Sequence, residues 1–309
     1  MSHRTWRFAV ASWIIWSRWL ATGLITSTLV IGTPPQVGAQ QDATAEDKGN
    51  TGRLTLNMGV DWVSEYFFRG IAQQVGGANF QPYGSVSFKL VDNAGPLTAL
   101  TATPGIWNNW HAGGGNLVEP VDPEFWYEAD LYFTLAATLV ERVTLGLTYT
   151  AYTSPNDSFG TVQELAFVLT VTDSKWLGAF ALNPSFLVAG ELTGQADAGR
   201  ARGVYLQLGI APSYTFAPES AYPLTVSFPV TLGLSASNYY EFATGDNPAF
   251  GYVQFGPAVA VPLGFIPKSF GTWVVKGALE LLVLGDTLEA LNDNEAVKPI
   301  GRIGVSVVY

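Results

Sequence analysis

The chain has 309 residues, of which 48% are hydrophobic, 13% aromatic and only 13% charged, with 33 Gly, 18 Pro and no Cys. The charged fraction is about half the ~25% of soluble domains, yet nothing after the first 35 residues approaches the ~18 consecutive apolar residues of a membrane helix. The missing cysteines exclude disulfides and thiol chemistry, and a formal net charge of −10 argues against nucleic acid as a partner.

The N-terminus opens on the basic "MSHRTWR", continues as a long apolar run interrupted by Arg18, and reaches "TPPQVGAQ". Small residues at Val37 and Ala39 predict cleavage before Gln40, so residues 1–39 read as a signal peptide. An uncleaved anchor helix is the competing reading. Removal of residues 1–39 takes Arg4, Arg7 and Arg18 and no acid, leaving 12 basic against 25 acidic side chains, a balance of −13. Residues 40–52 are small and polar and read as a flexible lead-in.

From residue 53 to 309 the dominant signal is a period of two, the mark of strands with one apolar face. Twelve strands are predicted: 54–69, 80–91, 96–107, 124–138, 142–152, 161–172, 182–192, 203–216, 223–234, 250–261, 272–284 and 300–309. The gaps between them alternate, for the most part, between long and short. An all-β chain that is apolar in total, lacks long apolar runs and alternates its loops predicts a transmembrane antiparallel up-and-down β-barrel of about 12 strands. The beat places both termini on the short-turn, periplasmic side of a bacterial outer membrane, with its lipids as surroundings. The last strand, "GRIGVSVVY", sets Ile303, Val305, Val307 and Tyr309 on one face. A terminal aromatic there is similar to the C-terminal signal read by the barrel assembly machinery.

Face assignments follow from parity. In the first strand Leu54, Leu56, Met58, Val60 and Trp62 face lipid, and the same parity puts Tyr66 and Phe68 in an outer aromatic girdle. Asp61, Glu65 and Arg69 take the other face. In the fourth, Phe125, Tyr127, Ala129, Leu131, Phe133 and Leu135 oppose Glu124, Glu128 and Asp130. Along the whole chain the predicted inner wall carries the acids Asp61, Glu65, Glu124, Glu128, Asp130, Glu164, Glu191 and Glu280. The bases are Arg69, Lys89, Arg142, Lys276 and Arg302.

The segments "SEYFFRGIAQQ" (64–74) and "QPYGSVSFKL" (81–90) resemble the opening of the TorF-like porin family, whose first strand reads roughly Asp-Tyr-x-Phe-Arg-Gly-x-Ser-Gln. A similar Tyr-x-x-Arg-Gly stretch opens the MltA-interacting, OmpV-like barrels. Glu65 stands where that pattern has Asp, and Ala72 where it has Ser. The resemblance implies an outer-membrane barrel and leaves its solute open.

No catalytic constellation emerges. His111 is the sole histidine after residue 39, and no activated serine is identifiable beside it. No His/Cys cluster predicts a metal site, and the acids of "TGDNP" and "LNDNEA" read as solvated loops rather than Ca²⁺ ligands. "GGGN" (113–116) lacks the Lys-Ser/Thr and helix of a phosphate loop, so no cofactor is predicted. Two interiors stay open: a narrow barrel filled by ion pairs, or a cation-preferring pore for small solutes. A barrel of twelve strands lies between ~8-stranded filled barrels and ~16-stranded water-filled porins.

Overall fold

The computed structural model describes residues 52–112, 125–242 and 245–309. The predicted leader 1–39 and most of the lead-in, as well as Glu124, lie outside the described residues.

Alternating apolar and polar residues leave each strand with one greasy face, and closure lets every strand find two partners. The strands are β1 (Leu54–Val63), β2 (Tyr66–Phe68), β3 (Ile71–Gln74), β4 (Ala78–Ala94), β5 (Leu97–Ala112), β6 (Trp126–Leu139), β7 (Val143–Thr153) and β8 (Val162–Val171). They continue with β9 (Ser185–Thr193), β10 (Val204–Ile210), β11 (Ser213–Phe216), β12 (Leu224–Ser227), β13 (Val230–Ser237), β14 (Phe250–Phe255), β15 (Ala258–Pro262), β16 (Thr272–Leu284) and β17 (Val297–Val308). Two short helices, α1 (Ser174–Leu177) and α2 (Asp286–Ala290), lie in connections.

All of these strands except β2 and β3 form one antiparallel sheet, which β17 closes by pairing with both β16 and β1. Since β10/β11, β12/β13 and β14/β15 each continue one another, the result is a closed twelve-strand barrel, as the periodicity predicts. Three of its neighbouring strands are broken where Pro212, Pro229 and Pro257 remove a ladder donor. Their carbonyls still pair: Phe228 N donates to Pro212 O at 3.0 Å and Leu279 N to Pro257 O at 3.0 Å.

The exterior is apolar. Leu131 and Ile303 are each 61% exposed and Leu279 69%, with Phe133, Leu147 and Leu208 alongside. So continuous an apolar belt is stable against hydrocarbon and not against water. Tyrosines brace the inner face by lying over glycines of the adjacent strand. A β-carbon added at Gly105 would meet the Tyr132 ring, 2.7 Å from Cε1, and Gly233 and Gly251 sit likewise under Tyr252 and Tyr240. Inter-strand glycines covered by aromatics are a recurrent device for pinning register.

Two expectations about faces are overturned. The first strand does not run to residue 69: β1 stops at Val63, the chain bends at Ser64–Glu65, and Tyr66–Gln74 folds back as the hairpin β2–β3. Tyr66 and Phe68 are buried at 3% and 7% exposure and form no outer girdle. The bend is fixed by Ser64, whose N–H donates to Gly301 O and whose Oγ accepts from Gly301 N, both at 2.9 Å. Tyr127 is also inside rather than outside. A register shift between β5 and β6, where Asn109 pairs with Glu128 but Trp110 with Trp126, is a bulge that re-aims it.

Placing a charge on the belt tests the outer face. Leu131→Arg is expected to lower barrel stability by about 2–4 kcal/mol at the midplane depth of a bilayer, read from denaturant unfolding in lipid vesicles.

Candidate functional site

The hairpin occupies the long-loop half of the barrel interior, and the molecule's apolar core is built around it. Alternation along β2 sends neighbouring side chains to opposite walls. Phe67 packs in a cluster with Leu187, Tyr205, Tyr252, Leu282 and Leu288. Tyr66 and Phe68 pack in another with Val63, Trp107, Tyr127 and Tyr152. A strand covered on both faces has to be apolar on both, which accounts for "YFF".

Arg69 and Gly70 are the two turn residues between the paired Phe68 and Ile71, with φ of 51° and 83°. Two positive φ values define a type I′ turn. Gly70 suits it and has no room for a side chain, since a β-carbon there would lie 2.8 Å from Leu288 Cδ1 of α2. An arginine at positive φ is uncommon, and its surroundings explain it. Its Nη1–H donates to Glu164 Oε2 at 2.6 Å and its Nη2–H to Oε1 at 2.8 Å, a bidentate pair. Nη1 also donates to the Tyr239 hydroxyl at 2.9 Å, and Tyr152 OH donates to Glu164 Oε1 at 3.2 Å. The guanidinium carbon lies 4.2 Å from the Tyr205 ring centroid, 5.0 Å from Phe68 and 5.4 Å from Tyr239. Tyr240 OH donates to the Arg69 carbonyl at 3.0 Å. Side-chain exposures of 2% and 4% put the ion pair out of reach of water, where loss of one partner costs about 3–5 kcal/mol.

Two further bonds dock the hairpin on β6, two strands along the wall from Glu164 on β8. Tyr66 OH donates to Glu128 Oε2 at 2.8 Å, and Tyr127 OH to Gln73 Oε1 at 2.7 Å. Tyr127 stacks on His111, centroids 4.5 Å apart. On the same side Asn79, Asn109 and His111 are buried, and among the described residues their side-chain polar atoms have no hydrogen-bond partner.

The predicted lumen charges divide among several places. Arg69 and Glu164 meet directly, and Glu128 and Asp130 are buried on β6 near the hairpin. Asp61 pairs with Lys276 at 2.9 Å and lies 3.5 Å from Arg302, which donates to Gln81 Oε1 at 3.1 Å. Glu280 accepts from Gln254 at 3.3 Å. Glu191 accepts the backbone N–H of Ala196 and Gly203, both at 2.6 Å, and so shapes a loop. Glu65 sits at the bend after β1, outside any strand. Lys89 lies 4.0 Å from Asp92 near a short turn, and Arg142 is in the turn after β6 with its guanidinium 5.0 Å from the Trp176 ring centroid. Tyr309 is 45% exposed and exchanges backbone hydrogen bonds with Leu56 at the closing seam. Sequence reasoning missed the tyrosine cage. "SNYYEF" (237–242) reads as loop, while the two-residue "RG" after "YFF" is the signal that finds the hairpin.

Two loop carboxyls, Asp197 and Glu141, are shifted in opposite directions. Burial raises Asp197, although the N–H groups of Phe242 and Gly199 donate to it at 2.8 Å each and tie two long loops together. Glu141, fully exposed at a short turn, is held below its ordinary value by a hydrogen bond from Lys175 at 2.6 Å.

The other half of the interior is rich in hydroxyls. Cross-strand pairs join Ser87 to Thr103 at 2.9 Å, Thr134 to Thr148 at 2.8 Å and Thr215 to Thr225 at 3.0 Å. Ser87, Thr148, Thr170, Thr225 and Ser306 are partly exposed there. The hairpin is packed inside the long-loop half, and hydroxyls line the short-turn half. Among the described residues, no group of three or more His, Asp or Glu side chains is arranged to hold a metal ion.

No family model matches the chain, those of the TorF-like and OmpV-like barrels included. None of the curated proteins is similar to it in sequence. Among solved structures, the NanC porin in a rhombohedral crystal form is similar at 14% identity and a TM-score of 0.40, over 82% of this chain and 98% of that one.

The corrected position of Phe68 has a direct consequence. Phe68→Arg leaves the lipid face untouched and sets a second cation beside Arg69. The barrel is expected to insert normally, while amide exchange of Tyr66–Gln74 accelerates by tenfold or more.

Proposed function

We propose that this chain is a bacterial outer-membrane barrel that passes small solutes, with some preference for cations, and that the β2–β3 hairpin closes its lumen. The observation that carries this reading is that the hairpin lies inside the barrel and is held there by side-chain contacts, while hydroxyls line the short-turn half of the interior. Acids outnumber bases on the inner wall, which favours cations. Export through the leader 1–39 and recognition of Tyr309 by the assembly machinery complete the proposal, with the long loops facing outward.

A second reading is a permanently plugged structural or binding barrel. The hairpin's membership of both core clusters favours it. Planar-bilayer recordings separate the two. Replacement of Tyr66–Gln74 by a short Gly/Ser linker is expected to raise single-channel conductance several-fold over the full chain, with heat-modifiable gel mobility reporting that the variant folds. A folded variant that conducts no more than the detergent control leaves the structural reading in place.

A further inference from the structure

We propose that Glu164, Tyr152, Tyr205 and Tyr239 form a binding site for small organic cations bearing a guanidinium or primary ammonium group, and that Arg69 is its internal occupant. This proposal rests on the reading of the barrel as a gated channel and names the solute class that opens it. Four observations carry it.

The site belongs to the barrel and not to the hairpin. Glu164 comes from β8, Tyr152 from β7, Tyr205 from β10 and Tyr239 from the loop after β13. Withdrawing the hairpin removes the ligand and leaves the receptor standing. Secondly, the chemistry is that of cation recognition. One carboxylate offers both oxygens to a planar fork while an aromatic face lies 4.2 Å from the cation and a phenol accepts at 2.9 Å. Thirdly, the occupant is out of place in its own backbone. The first position of a type I′ turn favours Asn, Asp or Gly, so Arg69 is held by the cage rather than by its turn. A free cation pays no such conformational cost. Fourthly, the acids Glu128 and Asp130 are buried in the same half of the interior, so the half that holds Arg69 is rich in carboxyl groups.

A cation arriving at the cage competes with Arg69 for one carboxylate. Its binding excludes the turn, and the hairpin loses its strongest anchor. The same group thereby selects the solute and releases the gate.

The test uses Arg69→Gly, which keeps the positive φ of the turn while deleting the guanidinium. Detergent-solubilised barrel is titrated calorimetrically with methylguanidinium chloride at mildly alkaline pH, with urea as the neutral isostere. R69G is expected to bind methylguanidinium saturably and at least tenfold more tightly than the wild type. Binding is expected to vanish in R69G combined with Glu164→Gln, and urea to give no signal. Equal binding by wild type and R69G, survival of binding without the Glu164 charge, or equal binding of urea would each overturn the proposal. Should R69G fail to fold, the unmutated barrel decides. Methylguanidinium must then accelerate amide exchange of Tyr66–Gln74 relative to sodium chloride at equal ionic strength, and unchanged exchange overturns the proposal. None of these measurements needs a conducting pore. A barrel that binds the cation but never conducts therefore refutes the channel reading alone.

Discussion

A guanidinium and a carboxylate sealed from water hold the inside of this barrel together. Arg69 and Glu164 meet in bidentate geometry at 2.6 and 2.8 Å, and desolvating both charges is expensive unless each is fully matched. The match is supplied by the Tyr152, Tyr205 and Tyr239 side chains around them. That requirement explains features which look unrelated along the chain. The chain must bend at Ser64, turn back within two residues, and present apolar side chains to both walls. The loop bearing Tyr239 must reach inward, and α2 must place Leu288 against Gly70.

The wall obeys a different constraint. Closure of β17 onto β1 leaves no unpaired edge, so the outer surface can be almost wholly apolar. Polar atoms are then confined to the lumen, where charge, hydroxyl and aromatic groups separate by level. One half holds the hairpin and its ion pair, the other the hydroxyl pairs of Ser and Thr. Between them Lys276 and Arg302 share Asp61. In the proposed channel, passage depends on movement of the hairpin.

The wall was legible in the sequence because a strand in a barrel has a strict two-residue period. Leu131, Leu147 and Leu208 fall outside, and Asp61, Glu128 and Glu164 inside, by parity alone. Parity fails wherever the chain leaves the sheet. Residues 64–69 continue the alternation of β1, so Tyr66 and Phe68 read as lipid-facing when a bend has already carried them into the lumen. Tyr127 fails through a bulge, which shifts the count by one residue and has no compositional mark. The three strands broken at Pro212, Pro229 and Pro257 read as continuous, since proline interrupts the hydrogen-bond ladder but not the side-chain period. The cage escaped because its members are distant in sequence and only folding brings Tyr205 and Tyr239 to Arg69.

The central claim is that Arg69 and Glu164 act as one unit in keeping the hairpin inside the barrel. A double-mutant cycle with Arg69→Ala and Glu164→Ala, read by amide exchange of Tyr66–Gln74 in lipid vesicles, measures that coupling directly. If the pair is the anchor, each single variant accelerates exchange strongly and the double variant little further. Independent, additive effects, or exchange unchanged in the single variants, would contradict the account.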